Sequence, residues 1–282
     1  MTQGTCLCGT VRYEVDGPFS AMMHCHCSMC RKHHGAMFGT FAVAPLMGFR
    51  WLAGADNVGK YRSSEHGERQ FCRTCGSVAP ILLPDMDLAI CPAGNLLEDL
   101  ELRPQSHFFA GSRASWYPIT DDLQQYEEFP PEFGPGPLID RPVIEPRDGI
   151  AEGSCLCGKV AYEMTGPAQR MMNCHCSRCR RGRSAAHATN VMYKMEDFRF
   201  TRGEDLVQGY HVPGAKYFKN CFCGECGSAV ARVSTERGFV VVPAGSLDTD
   251  PHIQPLAHIF VGSKANWFEI TDDVPQYAEM PP

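Results

Sequence analysis

The sequence has no run approaching the ~18 uninterrupted apolar residues that a membrane-spanning helix requires. Its opening, Met1-Thr2-Gln3-Gly4-Thr5-Cys6, has neither the charged start nor the apolar stretch of a secretory leader. Positive charge is not in excess: 26 Lys and Arg stand against 32 Asp and Glu, a net charge of −6, and neither end carries a basic run. These absences argue against a membrane and against nucleic acid as partners, and they predict a cytoplasmic protein. No long segment carries a 3.6-residue apolar period, so extended helices are not expected. What the chain has in quantity is cysteine, sixteen in 282 residues. In a reducing compartment, clustered cysteines point to metal binding or catalysis before disulfides.

The length is about twice that of a typical single domain, and the reason is a repeat. Gly4-Thr5-Cys6-Leu7-Cys8-Gly9 returns as Gly153-Ser154-Cys155-Leu156-Cys157-Gly158, and Met22-Met23-His24-Cys25-His26-Cys27 returns as Met171-Met172-Asn173-Cys174-His175-Cys176, both shifted by 149. Phe71-Cys72-Arg73-Thr74-Cys75-Gly76-Ser77 matches Phe222-Cys223-Gly224-Glu225-Cys226-Gly227-Ser228 at a shift of 151, so a two-residue insertion lies between Tyr210 and Phe222. Between the copies, Glu132 to Ile150 holds Pro135, Pro137, Pro142 and Pro146 without apolar periodicity, the composition of a semi-extended linker. The expected organisation is a first domain over 1–131, a Pro- and Gly-rich linker over 132–150, and a second domain over 151–282. Short runs rich in Val, Phe, Tyr and Ile predict strands at Thr10 to Val15, Gly39 to Val43, Ser77 to Leu83, Lys159 to Met164 and Gly238 to Val242. Each copy therefore reads as mostly β, with one short helix expected after Cys30 and another after Cys179.

Seven cysteines per copy align; Cys91 and Cys221 do not, and read as buried small hydrophobes. Two close-spaced pairs far apart in sequence, each followed by glycine, have the spacing of paired zinc knuckles. Cys6, Cys8, Cys72 and Cys75 would close one tetrahedral site, and Cys155, Cys157, Cys223 and Cys226 another. A site with four sulfurs has no free position, and its role is structural. The remaining Cys25, Cys27 and Cys30, and Cys174, Cys176 and Cys179, offer three sulfurs each, which leaves an open coordination position of the kind catalytic zinc has. Three alternatives stay open from the residues alone: a disulfide framework, a fourth ligand for the triplet from His26 or His33, and iron–sulfur ligation.

The order Cys-x-Cys-Gly, Cys-His-Cys-x-x-Cys-Arg, Phe-Cys-x-x-Cys-Gly, then His-x-Phe-x-Gly-Ser-x-Ala-x-Trp with Ile-Thr-Asp-Asp, resembles the glutathione-dependent formaldehyde-activating enzyme family, also called the CENP-V/GFA domain. Both copies carry it over nearly their whole length. The resemblance implies an Mss4-like, zinc-stabilised β fold with two Zn2+ per domain and four per chain, one structural and one catalytic in each copy. It also implies carbon–sulfur lyase chemistry on small molecules, the joining of glutathione and formaldehyde into S-hydroxymethylglutathione or its reversal. A zinc with three thiolates and one exchangeable position can hold a substrate thiol as thiolate beside an aldehyde. Arg31 with Lys32, and Arg180 with Arg181, follow the third ligand directly and are candidates for the glutathione carboxylates. His107 and His258 are candidate proton shuttles or structural histidines. The aromatics that follow them, from Phe108 to Trp116 and from Phe260 to Trp267, read as core before pocket wall, and Thr120-Asp121-Asp122 and Thr271-Asp272-Asp273 as turns or caps. After the triplet the copies diverge: Phe38 is replaced by His187, and Arg183 stands only in the second, which predicts different pocket chemistry in the two halves. Readings from another class are a zinc-stabilised binding module, or a carrier of glutathione or formaldehyde without catalysis.

Overall fold

The computed structural model describes residues 1–65, 67–133 and 145–281. The first half contains β1 (Thr2–Thr5), β2 (Arg12–Val15), β3 (Ala21–Cys25), α1 (Ser28–His34), β4 (Gly39–Pro45), β5 (Phe49–Ala53), β6 (Val58–Arg62), β7 (Glu68–Cys72), β8 (Ile81–Leu83), β9 (Leu88–Pro92), β10 (Ser106–Phe108) and β11 (Gln124–Gln125). The second repeats the order: β12 (Ala151–Ser154), β13 (Ala161–Met164), β14 (Arg170–Cys174), α2 (Ser177–Arg183), β15 (Ala188–Lys194), β16 (Phe198–Arg202), β17 (Val207–His211), β18 (Lys219–Cys223), β19 (Arg232–Ser234), β20 (Phe239–Pro243), β21 (His258–Ile259) and β22 (Gln276–Tyr277). The fold is mostly β, as the short β-branched and aromatic runs require. The expected linker falls largely outside the described residues. Its described end is tied to the second half by Arg147, which pairs with Glu152 and Glu163 at 2.9 and 2.8 Å.

Each half is built from a six-stranded sheet, a three-stranded sheet and a two-stranded ribbon, in the same order: β11-β10-β3-β4-β9-β8 with β1-β2-β5 and β6-β7, against β22-β21-β14-β15-β20-β19 with β12-β13-β16 and β17-β18. In the large sheet β3 and β4 pair antiparallel, Cys25 opposite Gly39, while β10 runs parallel to β3 and sets His107 opposite His24. That register carries the later histidine segment beside the cysteine triplet.

The helices begin earlier than the sequence suggests. Cys27 is the N-cap of α1, its Sγ accepting from Cys30 N at 3.3 Å, and Cys176 caps α2 in the same way at 3.4 Å. The third cysteine of each triplet therefore lies within the first turn rather than before it. The same N–H to sulfur turn ends the strand, starts the helix and orients two sulfurs.

The largest core cluster runs through both halves, drawing Met22, Phe38, Ala93 and Trp116 together with Met171, Ala186, Ala244 and Trp267. The contacts are reciprocal. A Cβ on Gly76 would meet the Phe222 ring, and one on Gly227 the Phe71 ring. Gly94 lies against the backbone of Ser184 and Ala185, and Gly245 against that of Arg31 and Ala36. Thr120 and Thr271 join hydroxyls at 2.6 Å. Equivalent residues meeting one another is the signature of an isologous, two-fold interface, here within one chain. Gly94 and Gly245 are required by close backbone approach: any side chain there would drive each helix off the opposite half.

Candidate metal centres and the residues around them

All sixteen cysteines are free thiols, so no disulfide framework is present. Fourteen of them form four metal-capable groups, each with its sulfurs within 4.8 Å of one another: Cys6, Cys8, Cys72 and Cys75; Cys155, Cys157, Cys223 and Cys226; Cys25, Cys27 and Cys30; and Cys174, Cys176 and Cys179. In the four-membered groups, sulfurs stand 3.4 Å (Cys6 to Cys8), 3.7 Å (Cys8 to Cys72), 3.3 Å (Cys155 to Cys157) and 3.8 Å (Cys157 to Cys223) apart. Tetrahedral Zn–S bonds near 2.3 Å put sulfurs ~3.8 Å apart, so this donor set fits such an ion. The local backbone is shaped for it: Val11 N and Val160 N donate to Cys6 and Cys155 Sγ at 3.3 Å, and Asn57 Nδ2 donates to Cys72 Sγ at 3.3 Å.

The triplets sit at the end of β3 and of β14 and in the first turn of the helix that follows. Packing the sulfurs together splits their acidity. The Cys25 and Cys30 thiols hold Cys27 well below the ordinary range, and Cys176 falls to about 3 beside Cys174 and Cys179. One sulfur of each triplet thus already favours thiolate, the form that binds metal, while Cys25, Cys30, Cys174 and Cys179 are pushed the other way. The surroundings of the first are Met29, Phe41 and Phe109, with Phe129 and, from the opposite half, Leu156 at the edge. Those of the second are Ala257, Ile259 and Phe260, with Tyr277. Phe108, Phe109, Ile259 and Phe260 therefore stand at the triplets, whereas Trp116 and Trp267 belong to the core.

Neither His26 nor His33 places a ring nitrogen within the triplet group. His26 Nε2 hydrogen-bonds His107 Nδ1 at 2.8 Å, and His33 Nε2 faces the Gln70 carbonyl at 3.3 Å. His107 Nε2 in turn meets Asp121 Oδ1 at 2.9 Å. The second half repeats the chain: His175 Nε2 to His258 Nδ1 at 2.8 Å, and His258 Nε2 to Asp272 Oδ1 at 3.0 Å. Burial works against the Asp121 charge, but the contacts with His107 and the hydrogen bond from Leu123 N together outweigh it and hold the carboxyl below its ordinary value. Burial lowers His26 to about 3 and His175 to about 2, so both are neutral near pH 7. A carboxylate that only accepts makes His107 donate through Nε2; with a neutral His107 imidazole, Nδ1 then receives from His26 Nε2 and leaves His26 Nδ1 as a lone-pair acceptor. That Nδ1, like His175 Nδ1, is buried without a partner. The aspartates that read as turn residues are thus the anchors of two buried His-His-Asp chains. Each also caps its own turn through Leu123 N or Val274 N at 3.1 Å, the only part visible in a local sequence pattern.

The basic residues after the triplets divide. Lys32 is buried in the contact between halves, where Nζ pairs with Asp248 at 2.5 Å and donates to Ser154 O and Oγ at 2.8 and 2.9 Å. Its charge is held by the opposite half, which corrects the expectation that it faces a glutathione carboxylate. Arg31, Arg180 and Arg181 are half-buried; Arg31 Nε donates to His26 O at 3.2 Å and Arg181 Nε to Ser177 O at 3.4 Å. A guanidinium that the local motif does not contain comes from β7: Arg69 Nη1 reaches Cys30 Sγ at 3.4 Å. Burial opposes its charge, but the three neighbouring sulfurs of Cys30, Cys27 and Cys25 together outweigh that and hold it above its ordinary value. Arg69 lies 39 residues from Cys30, so only the tertiary fold reveals it. His187 lies buried 5.0 Å from the His175 ring and 5.9 Å from Phe38, its equivalent across the two-fold.

Comparison with known proteins agrees with this arrangement. The sequence model of the family described as "Glutathione-dependent formaldehyde-activating enzyme" matches twice, over residues 1–112 and 150–263. A Halomonas elongata protein named after the same family is 29% identical over 133 residues, covering 43% of this chain and 81% of that protein. An uncharacterised lyase of Schizosaccharomyces pombe is 32% identical over 75 residues, 27% of this chain and 53% of its own length. A solved structure of a Rhodobacter sphaeroides protein is 33% identical over 31% of this chain and 81% of that one, with a TM-score of 0.26. With both halves carrying the full seven-cysteine set in the same places, the chain belongs to the glutathione-dependent formaldehyde-activating enzyme family.

Proposed function

We propose that the protein is a zinc-dependent carbon–sulfur lyase-type enzyme. Its substrates are glutathione or another thiol, together with formaldehyde or a similar small electrophile, and it forms or cleaves an S-hydroxymethyl adduct. The observation that carries this reading is the contrast between cluster types: in each half one group offers four sulfurs and the other only three. Four ions per chain follow, two in closed sites and two in open ones. A zinc ion at a triplet would supply an open coordination position that keeps a substrate sulfur as thiolate at neutral pH.

The chain's own residues do the rest. Cys25, Cys27 and Cys30, and Cys174, Cys176 and Cys179, hold three sides of each centre, while Phe41 and Phe109 in the first and Ile259 and Phe260 in the second limit water beside it. Arg31, Arg180 and Arg181 remain the candidates for substrate carboxylates. In the forward direction the thiol gives up its proton, a bond forms from sulfur to the aldehyde carbon, the carbonyl π bond opens, and the oxygen takes a proton. The balance needs no redox partner.

Exchange spectroscopy of glutathione with formaldehyde tests the reading: interconversion should be faster with the protein than without it. Cys27→Ser and Cys176→Ser should each reduce that rate, and to different extents. An unchanged exchange rate would favour a binding module or carrier.

A further inference from the structure

The two triplets share a sequence pattern but not a setting. In the first half, Arg69 on β7 is held by Ser63, with Nε donating to Ser63 Oγ at 3.3 Å, and from there its Nη1 donates to Cys30 Sγ at 3.4 Å. In the second half, Asn220 occupies the equivalent position on β18, since Phe71 corresponds to Phe222. Its amide turns the other way, donating to Cys75 O at 2.8 Å and Gly182 O at 3.3 Å. The ribbon that supplies a cation to one triplet thus supplies an interface clamp at the other. The guanidinium peculiar to the second half, Arg183, is buried with Nη1 lacking a hydrogen-bond partner, and that nitrogen lies near Gly35 of the opposite half. The Arg183 charge is felt at Cys179, but it makes no hydrogen bond to that sulfur and so does not reproduce the Arg69 contact.

A charge-assisted hydrogen bond to a thiolate draws electron density off the sulfur. Groups that hydrogen-bond to a metal ligand change the metal's acidity without touching it. We infer that Arg69 is a positioning residue that sets the first triplet apart: it reduces electron donation by Cys30. An ion held by Cys25, Cys27 and Cys30 is then the stronger Lewis acid and takes an external thiol more tightly than one held by Cys174, Cys176 and Cys179. The inference rests on the proposed function, in which the triplets hold a metal with one open position, and it assigns the tighter thiol site to the first half.

The test uses full-length protein reconstituted with Co2+, with the second triplet silenced by Cys176→Ser or the first by Cys27→Ser, and titrated with 2-mercaptoethanol. Difference spectra on thiol addition report open positions, because closed four-sulfur sites have none to exchange. The first triplet should show its sulfur-to-metal absorption at shorter wavelength than the second and bind the thiol more tightly. Arg69→Met should move that band to longer wavelength and weaken thiol binding by about tenfold, the low end of what removing a hydrogen-bond partner of a metal ligand does. Arg69→Lys should restore part of both, and it retains a packed, charged side chain if the methionine variant folds poorly. Equal bands and affinities at the two triplets, or a Lys variant and a Met variant both like the parent, would overturn the role of Arg69 while leaving the open sites intact. No spectral response to thiol at either triplet would overturn the proposed function and this inference with it.

Discussion

Replacing Lys32 by Met should unbalance the contact between the two halves. Its ammonium and the Asp248 carboxylate are 2.5 Å apart, with side chains 8% and 11% exposed. Ser154 Oγ completes the knot by donating to Asp248 Oδ2 at 2.6 Å. The substitution keeps most of the side-chain length but leaves a buried carboxylate without its cation, and removes the donor to two carbonyls, Ser154 O and Ser246 O. Breaking a buried pair from one side costs about 3–5 kcal/mol. For a chain of this size that is a fall in melting temperature on the order of 10 °C. Adding Asp248→Leu removes the stranded charge, and the double variant should recover more than half of the loss, because apolar replacement of a whole buried pair is close to neutral. Thermal and urea unfolding of the three variants, followed by circular dichroism, measure this. A single-variant cost below about 1 kcal/mol, together with weakened binding of carboxylate-bearing thiols, would refute the interface assignment and return Lys32 to the ligand role its sequence position suggests.

Cys75→Ser removes a ligand from a closed site that ties the first strand to a distant ribbon. It should abolish cooperative folding, whereas Cys27→Ser should keep the circular dichroism spectrum and lose one ion by metal analysis. Chelation at neutral pH should likewise unfold the protein, and readdition of Zn2+ should restore it; a spectrum indifferent to chelator would count against metal-dependent folding. Burial holds His33 at about 4 and His34 and His187 at about 3, below the ~6.5 of an unfolded chain. Between those values the unfolded state binds more protons, so stability is complete above about pH 6.5. It falls as pH drops, by about 1.4 kcal/mol per unit for each histidine, and the urea midpoint should decline steadily from pH 7 to pH 5. Gly245→Ala would push a methyl group into the carbonyls of Arg31 and Ala36 and should cost about 1–3 kcal/mol by overpacking, measurable in the same unfolding assays.

The duplication, the mostly β character, the cluster membership of fourteen cysteines and the family resemblance were all present in the sequence. They depend on local spacing and on pairs of motifs that need metal in common: Cys6-x-Cys8 and Cys72-x-x-Cys75 can each supply only two of four sulfurs, so they imply one another. Strand positions followed from β-branched runs, with ends displaced by a few residues; the run expected from Ser77 contributes a regular strand only at Ile81–Leu83. Tertiary structure decided the rest. Lys32 reads as a ligand contact because it follows a metal cysteine, yet the other half folds over it. Asp121 and Asp272 read as turn residues because their local hydrogen bonds are those of a turn, while their second partners lie fourteen residues away on a parallel strand. Arg69 carries no motif at all, and its meaning comes from the hairpin of β6 and β7 folding back onto α1. Spacing along a chain determines which sulfurs can share an ion, because chelation is local and few-bodied. Which charge faces a substrate and which is buried against a second copy depends on a two-fold packing of the halves that no local pattern encodes.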